Sequence, residues 1–117
     1  MRPYVLSNAE DFAVRIVKVY QYLKTECKEK RISDQLYRSG TAIQALIAEA
    51  EFAQSRADFV NKMQVALKEA NETKHWISLL YRSNYFNERM YDSLMNDLNP
   101  IIYILISIVK TTKENGL

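Results

Sequence analysis

The sequence predicts an all-α protein, an antiparallel up-down-up-down bundle of four helices. Three observations carry that prediction. The 117 residues include only two glycines and two prolines, where average usage of roughly 7% and 5% would give about eight and six. Sandwiches, barrels and doubly wound sheets draw heavily on such turn formers, so an all-β fold is excluded. Apolar residues recur at steps of three and four along four long segments. Those segments are joined by short polar stretches, which sets consecutive helices antiparallel in a single domain spanning 1–117.

The first helix is placed over 8–29. Ser7 and Glu10 fit a capping box, and Phe12, Ile16, Val19, Tyr20 and Leu23 form the inner stripe. The second covers 33–53, with Ser33 or Asp34 as its cap. Leu36, Ile43, Leu46, Ile47 and Ala50 face inward, and Gly40, Thr41, Ala42, Ala45 and Ala48 let a neighbouring backbone come close, so this helix is expected to be the most enclosed. The third covers 56–83, capped by Ser55 with Asp58 in its first turn. Its stripe includes Phe59, Met63, Ala66, Leu67, Ala70, Trp76, Ile77, Leu80 and Tyr81. The fourth restarts at Asn87 and Glu88 and covers 87–113. Pro100 inside it removes one backbone hydrogen bond and predicts a kink near Leu98. Pro3 and Gly116 mark the chain ends.

From 101 to 109 the fourth helix reads IIYILISIV, apolar nearly all round. A monomeric bundle needs a polar outer face, so a second buried face implies self-association. Ile101, Ile104, Leu105 and Ile108 are the interface candidates.

Several function classes are excluded or weakened. Gly40 and Gly116 are too far apart for a Rossmann or Walker loop. Cys27 is the one cysteine, which excludes an intramolecular disulfide and a multi-cysteine metal site. The N-terminus lacks a signal-peptide core, and the longest apolar run is far shorter than the ~20 residues that span a bilayer. A cytoplasmic protein with no membrane partner is expected. Glu72 and His75 have the Glu-x-x-His spacing of di-iron bundles, but such sites need a second copy of the motif and the chain has one histidine. Glu49 and Glu51 do not share a helix face. No cofactor and no catalytic residue is assigned.

Sixteen Lys and Arg against fourteen Asp and Glu leave +2, which neither demands nor forbids a polyanionic partner. The charge is nonetheless segregated: segments 1–31, 32–54, 55–86 and 87–117 carry +3, −2, +2 and −1. Lys24, Lys28, Lys30 and Arg31 form the densest basic cluster. With Lys62, Lys68 and Lys74 they are the nucleic-acid candidates, because a symmetric oligomer would repeat them as a ring. Tyr20, Tyr81, Tyr91 and Tyr103 are expected to pack in the core or an interface. Tyr22, Tyr37 and Tyr85 are freer to stack on bases.

Residues 35–80, QLYRSGTAIQALIAEAEFAQSRADFVNKMQVALKEANETKHWISLL, resemble the four-helix-bundle family encoded in intervening sequences of bacterial 23S rRNA genes. The similarity extends more weakly over nearly the whole chain. Arg38, Ser39, Gly40, Thr41, Glu49, Ala50, Ser55, Asp58, Phe59, Lys62, Lys68, Glu69, Glu72 and Trp76 stand at motif positions. Gln44, Leu46 and His75 depart from it, where the family often has Gly, Asn and Tyr. Arg38, Glu49, Glu69 and Glu72 are candidates for inter-helix or inter-subunit polar contacts. The resemblance implies a bundle without established enzymatic activity that assembles as a homopentamer. It also implies kinship with accessory variability proteins of diversity-generating retroelements, which bind a reverse transcriptase and nucleic acid. Three expectations follow: a self-associating bundle binding RNA or DNA, a protein-interaction adaptor such as a reverse-transcriptase accessory subunit, and, last, a metal-dependent enzyme using Glu49, Glu72 and His75 across an interface.

Overall fold

A computed structural model describes residues 2–114, with side chains from 5 to 113, as four helices: α1 (Arg2–Thr25), α2 (Arg31–Ala50), α3 (Arg56–Arg82) and α4 (Glu88–Glu114). Gly116 lies outside the described residues. The helices form a rod of 48 × 22 × 21 Å. Each connection is five residues long, so successive helices run antiparallel and pack in chain order around one core. α2 and α3 share the tightest seam, and the ring closes through a thin seam between α1 and α4. α1, α2 and α3 each bury their expected stripe, including Phe12, Ile16 and Leu23 of α1, Leu36, Ile43 and Ile47 of α2, and Met63, Ile77 and Leu80 of α3.

The boundaries correct the sequence reading in α1 and in α2, which spans Arg31–Ala50 where 33–53 was expected. α1 begins at Arg2, and Ser7 lies inside it, because extending the helix backward buries Val5 and Ala9 on the stripe of Phe12. Pro3 falls in the first turn, where its missing N–H would have no helical partner anyway. α1 also ends at Thr25, short of residue 29.

At α2 neither Ser33 nor Asp34 is the N-cap. Lys30 holds that position without a side-chain cap bond, and the Glu29 carboxylate caps instead. It accepts from the backbone N–H of Ile32 at 3.1 Å and of Ser33 at 2.7 Å, and from Ser33 Oγ at 2.6 Å. Partial burial pushes the Glu29 pKa up, but the bonds from Ser33, Ile32 and Arg31 outweigh it, so the carboxyl titrates below its ordinary 4.5. A depressed carboxylate pKa contributes stability that is present above the unfolded pKa and lost as pH falls through the folded one. Glu29→Ala is therefore expected to lower stability by about 1 kcal/mol near neutral pH. In urea melts, variant and wild type should converge as pH falls through the depressed Glu29 pKa, below the ordinary carboxylate range. A constant difference down to acid pH would show that the carboxylate is not the cap.

The other ends follow their chemistry. Ser55 Oγ accepts from Asp58 N–H at 3.0 Å, and the Asp58 carboxylate accepts at 3.1 Å from the N–H of Gln54, the residue before the cap. α3 closes with a Schellman motif: Tyr85 N–H reaches Leu80 C=O, Asn84 N–H reaches Tyr81 C=O, and Asn84 takes φ 71°. Asn87 caps α4 through Met90 N–H at 2.8 Å. α4 runs unbroken through Pro100, which is exposed. Gly40 sits where α1 and α2 touch; a Cβ there would lie 2.9 Å from Ile16 Cγ1.

Candidate nucleic-acid interface

The up-down topology brings the end of α1, the start of α2, the end of α3 and the start of α4 to one end of the rod. Lys24, Lys28, Lys30 and Arg31 meet there, joined by Arg82 and Arg89, which the sequence reading did not include. Their signal was topological: in any antiparallel four-helix ring the third connection returns beside the first. Lys28 adopts φ 58°, a left-handed turn that ends α1.

Only part of this positive charge is neutralised locally. Lys30 bonds Asp34 at 2.7 Å, and Tyr20 donates to the same carboxylate at 2.8 Å. Those bonds, the lysine's first, hold the Asp34 pKa low. The Lys24 ammonium lies 5.8 Å from the Tyr20 ring centroid. Glu29 is spent on its cap. Lys28, Arg31, Arg82 and Arg89 are exposed and make no side-chain ion pair among the described residues, while Glu26 and Glu88 are solvated acids nearby.

The remaining candidates separate. Lys74 is exposed on the half of α3 nearer the basic end, and Lys68 is exposed near the middle of that helix. Lys62 lies about 30 Å from Arg82 along α3 and is half-buried in a 3.2 Å pair with Asp58. It does not join the basic end.

A second polar group is built between α2 and α3. Arg38 extends across to Glu69 and Glu72, bonding Glu72 through Nη2 and lying 3.3 Å from Glu69 Oε1 through Nη1. Trp76 Nε1 donates to Glu72 at 3.2 Å. The bond from Trp76, then that from Arg38, outweighs desolvation and lowers the Glu72 pKa. Beneath them Ser39 and Thr73 are fully buried, their hydroxyls 2.9 Å apart, with Thr73 Oγ1 2.8 Å from the Glu69 carbonyl. Three of the four polar candidates thus form one inter-helix cluster. The fourth, Glu49, is exposed at the far end of α2 with no ion pair among the described residues. His75 is exposed, its ring edge-on to Trp76 at 5.0 Å. Among the described residues no three His, Cys, Asp or Glu side chains group as a metal site.

The apolar face of α4 needs correction. Ile101 and Leu105 are fully buried in the chain's own core, and Ile104 and Ile108 pack partly against it. The outward residues are Tyr103, 72% exposed, and Ile106, 44% exposed. Of the two places expected for Tyr103, core or interface, the core is thus excluded, whereas Tyr81 and Tyr91 stack at 4.3 Å against the core. Phe52, in the α2–α3 connection, is 86% exposed at the end opposite the basic one.

The thin α1–α4 seam is bridged by Arg15, which was not singled out in the sequence. It donates to Asp97 at 2.6 Å, to Ser93 Oγ at 2.8 Å and to the Ser93 carbonyl at 3.2 Å. Clefts open on either side of it: one of about 350 Å³ toward the basic end, the other of about 200 Å³ lined by Asp11 and Asp97. No helix of the described residues is long and apolar enough to cross a membrane.

Comparison with known proteins agrees with this architecture. No curated protein matches the chain. A crystal structure described as a protein of unknown function from the S23 ribosomal protein family of Bacteroides thetaiotaomicron VPI-5482 superposes with a TM-score of 0.92. That protein is 51% identical, with 94% of this chain and 99% of the other covered. The pattern of the 23S rRNA-intervening sequence protein family matches residues 4–107. The chain belongs to the 23S rRNA-intervening sequence protein family.

Proposed function

We propose that this protein is a non-enzymatic, self-associating bundle that binds RNA or DNA through its basic end. The supporting observation is the convergence of Lys28, Arg31, Arg82 and Arg89, at the first and third connections, onto one end without ion pairs among the described residues. Cations held apart from carboxylates remain free to replace the counterions of a phosphate backbone. Assembly as a homopentamer would repeat the surface five times, and the outward Tyr103 and Ile106 give α4 an apolar face to bury.

Anisotropy titrations of labelled RNA and DNA at several salt concentrations test the reading. Binding should weaken steeply with salt, and the triple variant Lys28→Glu, Arg31→Glu, Arg82→Glu should lose at least about 100-fold in affinity. Lys110→Glu with Lys113→Glu, toward the other end of α4, should leave binding nearly unchanged. Equal losses from both variants would mean nonspecific charge, and no binding at low salt would overturn the proposal. Native mass spectrometry showing a monomer or dimer would overturn the pentamer.

The exposed Phe52 favours a second reading, an adaptor that presents this ring to another protein such as a reverse transcriptase. Binding to such a partner that persists at high salt and is lost in Phe52→Ser would favour it.

A further inference from the structure

The larger of the two clefts in the α1–α4 seam differs sharply in composition from the smaller. Arg15 and Arg89 line it together with Tyr22, Tyr85, Phe86 and Asn87, and no carboxylate is among its lining residues. The cleft across Arg15 is the reverse, with Asp11 and Asp97 and no cation. Arg15 is locked by its bonds to Ser93 and Asp97, so it forms a fixed wall. Arg89 is exposed and makes no ion pair. Asn87 uses its amide oxygen to cap α4, which leaves its NH₂ donors free.

From this we infer that the cleft holds one unpaired nucleotide of a single-stranded RNA or DNA, an inference that rests on the nucleic-acid reading of the basic end. The base stacks on the Tyr22 and Tyr85 side of the cleft, and its phosphate faces Arg89. At about 350 Å³ the cleft lies near the lower end of small-ligand sites, which suits one nucleotide and not a stacked run. A base within a duplex has both faces stacked and cannot enter. Basic residues around the cleft mouth would hold the flanking backbone, while the cleft selects for single strands.

The test compares a fluorescein-labelled single-stranded RNA with a blunt-ended RNA duplex of the same composition, which offers no unpaired loop. Tyr22 is 44% exposed and Arg89 is exposed, so the chain folds without either, as circular dichroism melts would verify. Tyr22→Ala should weaken single-strand binding by roughly 5- to 100-fold while barely changing duplex binding, and Tyr22→Phe should restore it. Arg89→Ala should weaken single-strand binding and reduce the salt slope by about one. Salt-sensitive binding that ignores Tyr22→Ala would overturn the cleft and leave the basic end standing. Wild-type protein that binds neither RNA at low salt would overturn the basic-end reading, and the cleft with it.

Discussion

Gly40→Val is expected to destabilise the bundle by about 3 kcal/mol or more, enough to remove a large share of the stability of a domain this size. A Cβ at residue 40 would lie 2.9 Å from Ile16 Cγ1 and 3.0 Å from Cγ2. Ile16 is fully buried and β-branched, so in a helix one χ1 rotamer dominates and the side chain cannot swing clear. The neighbour that must yield is therefore the α1 backbone, and with it the seam that carries Phe12, Ile16 and Leu23. Gly40→Ala is the finer test because two effects oppose. Alanine gains about 1 kcal/mol of helix propensity over glycine, while overpacking costs about 1–3 kcal/mol. The expected net is a modest loss in urea melts at unchanged m. Ile16→Ala alone should cost about 2–5 kcal/mol by opening a cavity. Combined with Gly40→Val it should cost less than the sum, because the valine methyls fill the vacated space. A Gly40→Ala protein more stable than wild type would show that the helices do not approach this closely.

Gly40 also illustrates how far the sequence carries the fold. Its place among small residues marks α2 as a helix that admits a close neighbour, and apolar periodicity locates the inner stripes of α1, α2 and α3. Periodicity is a statement about faces and says little about ends, which is why Ser7 misleads: a serine can cap, but here extending the stripe to Val5 buries more than a cap would contribute. The same limit explains α4. When nearly every position from 101 to 109 is apolar, the pattern reveals a surplus face without fixing the helix rotation. Ile101 and Leu105 point inward and Tyr103 and Ile106 outward because of how α1 and α3 seat the helix. Charged groups divide by their partners' distance in sequence. Asp58 and Lys62 pair within one helix and are legible from spacing. Arg15 meets Asp97 across 82 residues, so only the closed ring reveals it. Arg38, Glu69 and Glu72 emerge from the family motif as residues lacking a local explanation, and the structure supplies a shared one.

That cluster gives the second large effect. Arg38→Met is expected to cost about 2 kcal/mol, of which little is the value of the lost ion pairs themselves. Arg38 is half exposed, and exposed pairs contribute roughly 0–1 kcal/mol. The cost arises in what it leaves behind. The Glu69 side chain is only 13% exposed, its Oε1 has no hydrogen-bond donor, and the Arg38 guanidinium 3.3 Å away is the positive charge that balances it. Removing the partner of a largely buried carboxylate strands that charge, which costs more than the exposed half of the pair contributes. Glu72 suffers less because Trp76 Nε1 still donates to it. The asymmetry predicts an order of rescue: Glu69→Gln in the Arg38→Met background should recover most of the lost stability, whereas Glu72→Gln should recover little. A double-mutant cycle by urea denaturation reads this directly. If Arg38→Met is neutral in the isolated chain yet weakens the oligomer in sedimentation, the arginine serves a contact between subunits, and Glu69 is balanced there instead.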